Sequence, residues 1–94
     1  MDDLELFNRV ARFSRPAHAE FTPLTTLDTP LADTGLDSMD TLMIAMFYAD
    51  IYGVPELLAK ELTYTTAAEL IAQTKAHKTK EPSSLQEALE SVSW

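Results

Sequence analysis

The sequence has no cysteine and only two glycines among its 94 residues. Without cysteine the chain has no disulfides and no thiolate metal sites, so any thiol chemistry would have to arrive on an attached group. A chain of this length has too little interior for two cores, and 46% of its residues are apolar. We therefore expect one small domain with its own hydrophobic core.

Long apolar runs and positive charge are also scarce. No stretch of 18 apolar residues and no basic leader followed by an apolar segment is visible, which favours a cytoplasmic protein without a membrane span. Fifteen acidic side chains stand against seven basic ones, giving a formal net charge of −8. Such a field repels nucleic acid and attracts proteins with basic patches. The same acidity is also compatible with a role in solubility alone.

One stretch, residues 33–42 with the sequence DTGLDSMDTL, organises the rest of the chain. Gly35 supplies a turn, Asp37 and Ser38 are good helix-capping residues, and nothing from 39 to 52 breaks a helix. The sequence therefore predicts a helix that carries Ser38 at its N-terminus, at the tip of a loop.

This central helix has two apolar stripes, each with the i, i+3, i+4, i+7 spacing of a buried face. One consists of large, stiff side chains: Ile44, Phe47, Tyr48 and Ile51. The other begins beside Ser38 and is rich in methionine: Met39, Leu42, Met43 and Met46. A domain of this size can bury only one stripe well. We expect the first to form core and the second, with its adaptable methionines, to face partners.

Further helices are predicted on both sides of the central one. The first starts at Asp2 and Asp3 and ends near Arg15, a short third helix spans 56–62, and a Thr66–Glu69 capping box opens the fourth. Residues 16–37 show no sustained helical period and predict a long ordered loop with a turn of helix. Apolar side chains would pin this loop to the core: Phe21, Leu24, Leu27, Leu31 and Leu36.

Residues 79–94 are predicted to form a linker and a short C-terminal helix, distinct from a domain over 1–78. Ser84 and Glu87 make a second capping box, followed by a narrow apolar stripe. A helix this short is marginal alone in water, so it must dock on its own domain, a partner or a second copy. The predicted fold class is all-α.

A serine at a helix start can be a cap, a nucleophile or an attachment point. Nucleophilic catalysis needs a nearby base and donors for an oxyanion. The only histidines are His18, in the proline-rich loop, and His77, near the end of helix four, and no Gly-x-Ser-x-Gly elbow is present. A hydrolase is therefore disfavoured.

The acidic residues do not match a calcium loop and the histidines are isolated, so we predict no metal site.

Asp37-Ser38-Met39-Asp40, with Gly35 two residues upstream, resembles the Asp-Ser-Leu motif of acyl carrier proteins. The resemblance extends from about Leu27 through Thr74, with helices and loops in the family's order. It implies a four-helix acyl-carrier-like bundle with a long loop between helices 1 and 2, to which this chain adds a C-terminal helix. It also implies a 4'-phosphopantetheine arm, received from coenzyme A, on the Ser38 hydroxyl.

By this resemblance the chain is not an enzyme but a monomeric carrier of acyl thioesters. Its implied partners are a phosphopantetheinyl transferase and ketosynthase or acyltransferase-type enzymes, and Asp37 would position Ser38 for the transferase. The implied partner surface runs along helix two and contains Met39, Asp40, Leu42, Met43, Met46 and Asp50.

The chain departs from typical fatty-acid carriers, which bear several acidic residues along this helix. Here mainly Asp40 and Asp50 remain, which favours a specialised carrier of a fatty-acid-like or polyketide pathway that docks through apolar contacts. A peptidyl carrier of nonribosomal synthesis and an unmodified helical interaction module are the alternatives. Tyr48 and Tyr52 are expected in the core with hydroxyls reaching the surface, and lining of an acyl pocket is a further hypothesis for them.

Overall fold

The computed structural model describes residues 2–14 and 21–92. Across these two ranges the chain forms five α-helices, one 3-10 turn and no β-strand, which confirms the all-α class. The elements are α1 (Asp3–Phe13), the 3-10 turn (Leu31–Thr34), α2 (Ser38–Tyr52), α3 (Glu56–Glu61), α4 (Ala67–Ala76) and α5 (Leu85–Glu90). None of the helices in the described ranges has the length and apolar character needed to cross a membrane.

Side-chain caps fix where α1, α4 and α5 begin. The Asp2 carboxylate accepts the Leu4 N–H at 2.9 Å and opens α1, and Thr66 and Glu69 form the predicted reciprocal box at α4. The second predicted box is only half formed. Ser84 caps α5, but the Glu87 carboxylate accepts hydrogen bonds from the backbone and hydroxyl of Ser83, one residue earlier than expected.

The core forms around α2, which packs against α1, α3 and α4. The predicted core stripe is confirmed, because each of its four members is at most 4% exposed: Ile44, Phe47, Tyr48 and Ile51. The Phe7 ring of α1 meets the Tyr48 ring at a centroid distance of 6.2 Å. From α4, the predicted inner face is buried in full: Ala67, Leu70, Ile71 and Thr74. Helix α2 is therefore the central helix of the domain.

The described part of the long loop is held by hydrogen bonds to two helices. The Asn8 side chain of α1 donates to the Leu24 carbonyl at 3.0 Å and accepts the Leu24 N–H at 2.7 Å. Further on, Leu31 N–H donates to the Thr65 carbonyl at 2.9 Å. The predicted anchors lie inward, with Leu24, Leu31 and Leu36 buried and Phe21 and Leu27 partly buried. The 3-10 turn that precedes α2 is thus tied to the residue before the cap of α4.

Residues 79–82, which we call the strap, lie between α4 and α5 and cross the end of α2. The backbone N–H groups of Thr79 and Lys80 both donate to the Tyr52 carbonyl, at 2.9 and 3.2 Å. Helix α5 then packs on α1 and buries Ala88 and Val92. The sequence left open whether this helix docks on its own domain, on a partner or on a second copy. The structure shows it docked on its own chain.

The tyrosine hydroxyls do not reach the surface, so that prediction was wrong. Tyr48 and Tyr52 are each 0% exposed, and their stacked rings lie 6.2 Å apart. Neither hydroxyl has a hydrogen-bond partner among the described residues. Burial raises the pKa of Tyr48 well above its usual value and that of Tyr52 to about 12, with nearby negative charge adding to both shifts. Helix periodicity placed these side chains inward, but it carries no information about how deep their tips lie.

Candidate functional site

The N-terminus of α2 is built by a turn and a reciprocal cap. Gly35 ends the 3-10 turn with φ of +84°, in the left-handed region that glycine occupies most easily. The Asp40 N–H donates to the Asp37 carboxylate at 2.9 Å, and the Asp37 N–H donates to the Asp40 carboxylate at 3.1 Å. Asp37 is therefore the N-cap and Ser38 the first helical residue.

Ser38 is exposed, and its hydroxyl makes no hydrogen bond to another described residue. Its carbonyl accepts a hydrogen bond from the Thr41 hydroxyl at 3.0 Å, which fixes the backbone while leaving Oγ available. Because Asp37 supplies the cap, the hydroxyl is not needed for helix initiation. The position also suits an anionic substituent, since the backbone dipoles place positive charge at a helix N-terminus.

Ser38 lies where two shallow grooves meet. The first, which we call the α2–α3 groove, has a volume of about 320 Å³ and is lined by Ser38, Thr41, Leu42, Ala45, Ala59, Lys60, Leu62, Thr63 and Tyr64. The second has a volume of about 240 Å³ and is lined by Pro30, Leu31, Ala32, Leu36, Asp37, Ser38, Thr41, Tyr64 and Thr65. A flexible substituent on Ser38 Oγ would therefore find a channel on either side.

Tyr64 lines both grooves. Its hydroxyl donates to the Thr41 carbonyl in the first turn of α2, across 23 positions of sequence. Burial raises the Tyr64 pKa well above its usual value, so the hydroxyl stays neutral and keeps its proton for this bond. The contact links the segment after α3 to the helix end that presents Ser38.

The methionine-rich stripe is graded in exposure. Met39 is 67% exposed and Leu42 38%, whereas Met43 and Met46 are half-buried and Met43 packs on the core. Asp40 is only 9% exposed because its carboxylate turns back to the cap, while Asp50 is exposed. Of the predicted partner surface, the freely accessible apolar part is therefore the end beside Ser38.

Several site residues were not found by sequence reasoning. Thr41, Lys60 and Tyr64 join Ser38 in the α2–α3 groove, and Leu57 of α3 is 77% exposed. Tyr64 could have been noticed as the lone aromatic residue between α3 and the Thr66 cap. Lys60 carries no local pattern that would separate it from any other lysine in the last turn of a helix.

No histidine is among the described residues that line the two grooves beside Ser38. His77 is exposed at the C-terminal cap of α4 and lines neither groove, and His18 lies outside the described residues. Within residues 2–14 and 21–92, no group of three or more His, Cys, Asp or Glu residues is placed to hold a metal ion.

Comparisons with protein-family models, with curated proteins and with solved structures gave no match for this chain.

Proposed function

We propose that this chain is a carrier protein that holds acyl groups as thioesters on a 4'-phosphopantetheine arm attached to Ser38. One observation carries the proposal: Ser38 Oγ is exposed and hydrogen-bond-free at the first position of α2, while the neighbouring Asp37 does the capping. A serine kept only for helix initiation would occupy the cap position itself. The Asp-Ser-Met-Asp sequence around it gives the arm its identity by resemblance.

The attachment chemistry does not require a base on this chain. Ser38 Oγ would form a bond to the phosphorus of the pantetheine phosphate of coenzyme A, and the bond from that phosphorus to the nucleotide part would break. The hydroxyl proton would go to a base on the phosphopantetheinyl transferase. The resulting phosphodiester would lie at the positive end of α2, where backbone N–H groups stabilise negative charge.

The finer fold is part of the same proposal. Helices α1 to α4, with the long loop between α1 and α2, have the element order of the carrier family. The strap and α5 are an addition to that order, docked on α1 and on the end of α2 remote from Ser38. We interpret residues 1–78 as the carrier unit and 79–94 as its C-terminal extension.

Partner enzymes would approach the Ser38 end of α2. Met39 and Leu42 offer accessible apolar area there, and Asp50 adds negative charge further along. A mainly apolar docking face suits a specialised fatty-acid-like or polyketide pathway with its own ketosynthase or acyltransferase. The carrier would act in the cytoplasm as a monomer.

A second candidate is an unmodified helical interaction module. Two side chains favour it: Met39 is 67% exposed and Leu57 is 77% exposed, and large exposed apolar groups can bind a protein directly. This function needs no substituent on Ser38. The two candidates therefore differ in whether Ser38 receives a phosphopantetheine group.

Intact-protein mass spectrometry separates them. The wild-type chain is incubated with coenzyme A and a broad-specificity phosphopantetheinyl transferase, beside a known carrier as positive control. We expect the mass to rise by one phosphopantetheine in wild type and in Ser83→Ala, an exposed serine in another part of the chain, and not in Ser38→Ala. An unchanged wild-type mass, while the positive control is modified, would overturn the proposal and favour the module.

A further inference from the structure

The lining of the α2–α3 groove combines apolar side chains, polar groups and a single cation. Leu42, Ala45, Ala59 and Leu62 supply the apolar part, and Ser38, Thr41, Thr63 and Tyr64 supply polar groups. Lys60 is the one basic side chain among its lining residues. A groove with this mixed lining suits a ligand with one anionic group and a body that carries both polar amides and short carbon chains.

Lys60 has no acidic partner within the described structure. Two other lysines do: Lys75 lies 3.2 Å from Asp3, and Lys78 lies 3.0 Å from Glu81. Lys60 makes no hydrogen bond or ion pair with any described residue, although the chain carries a net charge of −8. An unpaired cation in a groove that Ser38 also lines is complementary to an anion at that serine.

Resting on the proposed function, we propose that Lys60 binds the phosphodiester of the Ser38 substituent and thereby lays the arm along the α2–α3 groove. The ammonium would pair with the non-bridging phosphate oxygens, and the amides of the arm would face the Thr63 hydroxyl. The apolar side chains that line the groove would contact the carbon chain of the arm. Between partner visits the carrier would therefore hold its arm folded back against α3.

A purely structural role for Lys60 predicts something different. A lysine in the last turn of α3 also complements the helix dipole. That role acts equally with and without the arm, so it changes the stability of both forms and leaves the position of the arm untouched. The discriminating measurement is thus a difference between the unmodified and modified forms of the same variant.

The test compares wild type, Lys60→Gln, Lys60→Arg and, as matched control, Lys80→Gln, an exposed lysine that does not line the groove. Each is converted to the phosphopantetheine form, verified by mass, and studied by ¹H–¹⁵N and ³¹P nuclear magnetic resonance. In wild type, modification should shift the amide signals of Ala45, Ala59 and Thr63. In Lys60→Gln the ratio of docked to free arm should fall by roughly 1.5- to 5-fold, the range for an exposed ion pair. Lys60→Arg and Lys80→Gln should behave like wild type.

The outcomes separate this inference from the proposed function. If wild type is never modified, the carrier proposal itself fails. If it is modified but only residues adjoining Ser38 shift, or if Lys60→Gln shifts as fully as wild type, the arm does not depend on Lys60 and this inference is overturned. Spectra of the unmodified Lys60→Gln form check that the variant is folded.

Discussion

The hydroxyl of Thr79 donates a hydrogen bond to the carbonyl of Gly53 over 2.6 Å, which fastens the strap to the C-terminal end of α2. Gly53 has φ of +68°, in the left-handed region. A Cβ at this position would overlap the Thr79 hydroxyl oxygen and crowd the Lys80 side chain. Glycine is therefore required here twice, once for its backbone angle and once for the space it leaves.

Replacing this glycine should cost more than replacing the other one. We expect Gly53→Ala to lower the free energy of unfolding by about 2 kcal/mol or more, since the left-handed backbone alone costs roughly 1 to 2 kcal/mol. Gly35→Ala is the control, because its φ of +84° carries the same backbone cost with no neighbouring atom within 4 Å of the added Cβ. Urea unfolding measures both. Thr79→Ala should rescue part of the Gly53→Ala loss, and equal losses in the two glycine variants would contradict the steric argument.

Asp37 caps α2 and the Ser38 hydroxyl does not, which gives a second prediction. Asp37→Ala should lower the free energy of unfolding by about 1 kcal/mol, because it removes the N-cap, whereas Asp37→Asn keeps a capping oxygen and should stay within a few tenths. Ser38→Ala should remain within about 0.5 kcal/mol of wild type. Thermal and urea unfolding test this. A loss in Ser38→Ala as large as in Asp37→Ala would mean that the serine hydroxyl is structural.

The buried tyrosine hydroxyls lead to a third prediction. Tyr48→Phe and Tyr52→Phe each remove a hydroxyl with no described partner, so the free energy of unfolding should be unchanged or rise by up to about 1 kcal/mol. Tyr64→Phe is the contrast, because it removes the bond to the Thr41 carbonyl and should cost about 1 kcal/mol. Urea unfolding compares the three variants. A loss in the first two as large as in Tyr64→Phe would indicate that their hydroxyls are bridged by internal water.

Stability should decline in strong base because of the same burial. Burial, then the charges of Asp3 and Glu81, raise the Tyr52 pKa to about 12 in the fold, against about 10 in the unfolded chain. The folded state thus favours the neutral phenol. The stability that comes from keeping the Tyr52 phenol neutral is fully present below about pH 10 and is lost as the pH rises through about 12. Unfolding measured from pH 8 to 12 should show a shallower decline in Tyr52→Phe than in wild type, and identical curves would contradict this assignment.

Docking of α5 can be tested at Ala88, which is 0% exposed. Ala88→Asp would place a charge in the contact with α1 and should cost about 2 kcal/mol or more, or release α5 from the domain. Gln86→Asp adds the same charge on the exposed side of α5 and is the control. Amide hydrogen exchange over residues 85–92 reports release directly. Rapid exchange of this helix already in wild type would contradict its docking.

Much of the fold follows from local sequence signals. The limits of α2 agree with prediction because Asp37 caps its start and Gly53 ends it, and both act on their immediate neighbours. Its buried stripe follows from helix geometry. The missed features involve exact partners instead of periodicity: Glu87 bonds to Ser83, and the Tyr48 hydroxyl lies deeper than its helix position indicates. Periodicity gives a direction for a side chain but not the atoms it meets.

For the candidate site, sequence reasoning located Ser38 but not its surroundings. Capping chemistry and a nearby turn were enough to put the serine at a helix start. The groove, in contrast, depends on how α3 and the following segment return to α2, which brings Tyr64 to Thr41 and Lys60 beside the same channel. Such contacts between remote positions are set by tertiary packing, and a single sequence does not display them.

The strap places Lys80 at a fixed distance from Ser38, because it is bonded to the far end of α2. Tyr52, to whose carbonyl the Lys80 backbone bonds, lies 14 residues along a continuous helix from Ser38, a separation of about 21 Å at 1.5 Å per residue. The Lys80 side chain is exposed. A fluorophore attached there would report by energy transfer on a second dye carried at Ser38, at the opposite end of α2.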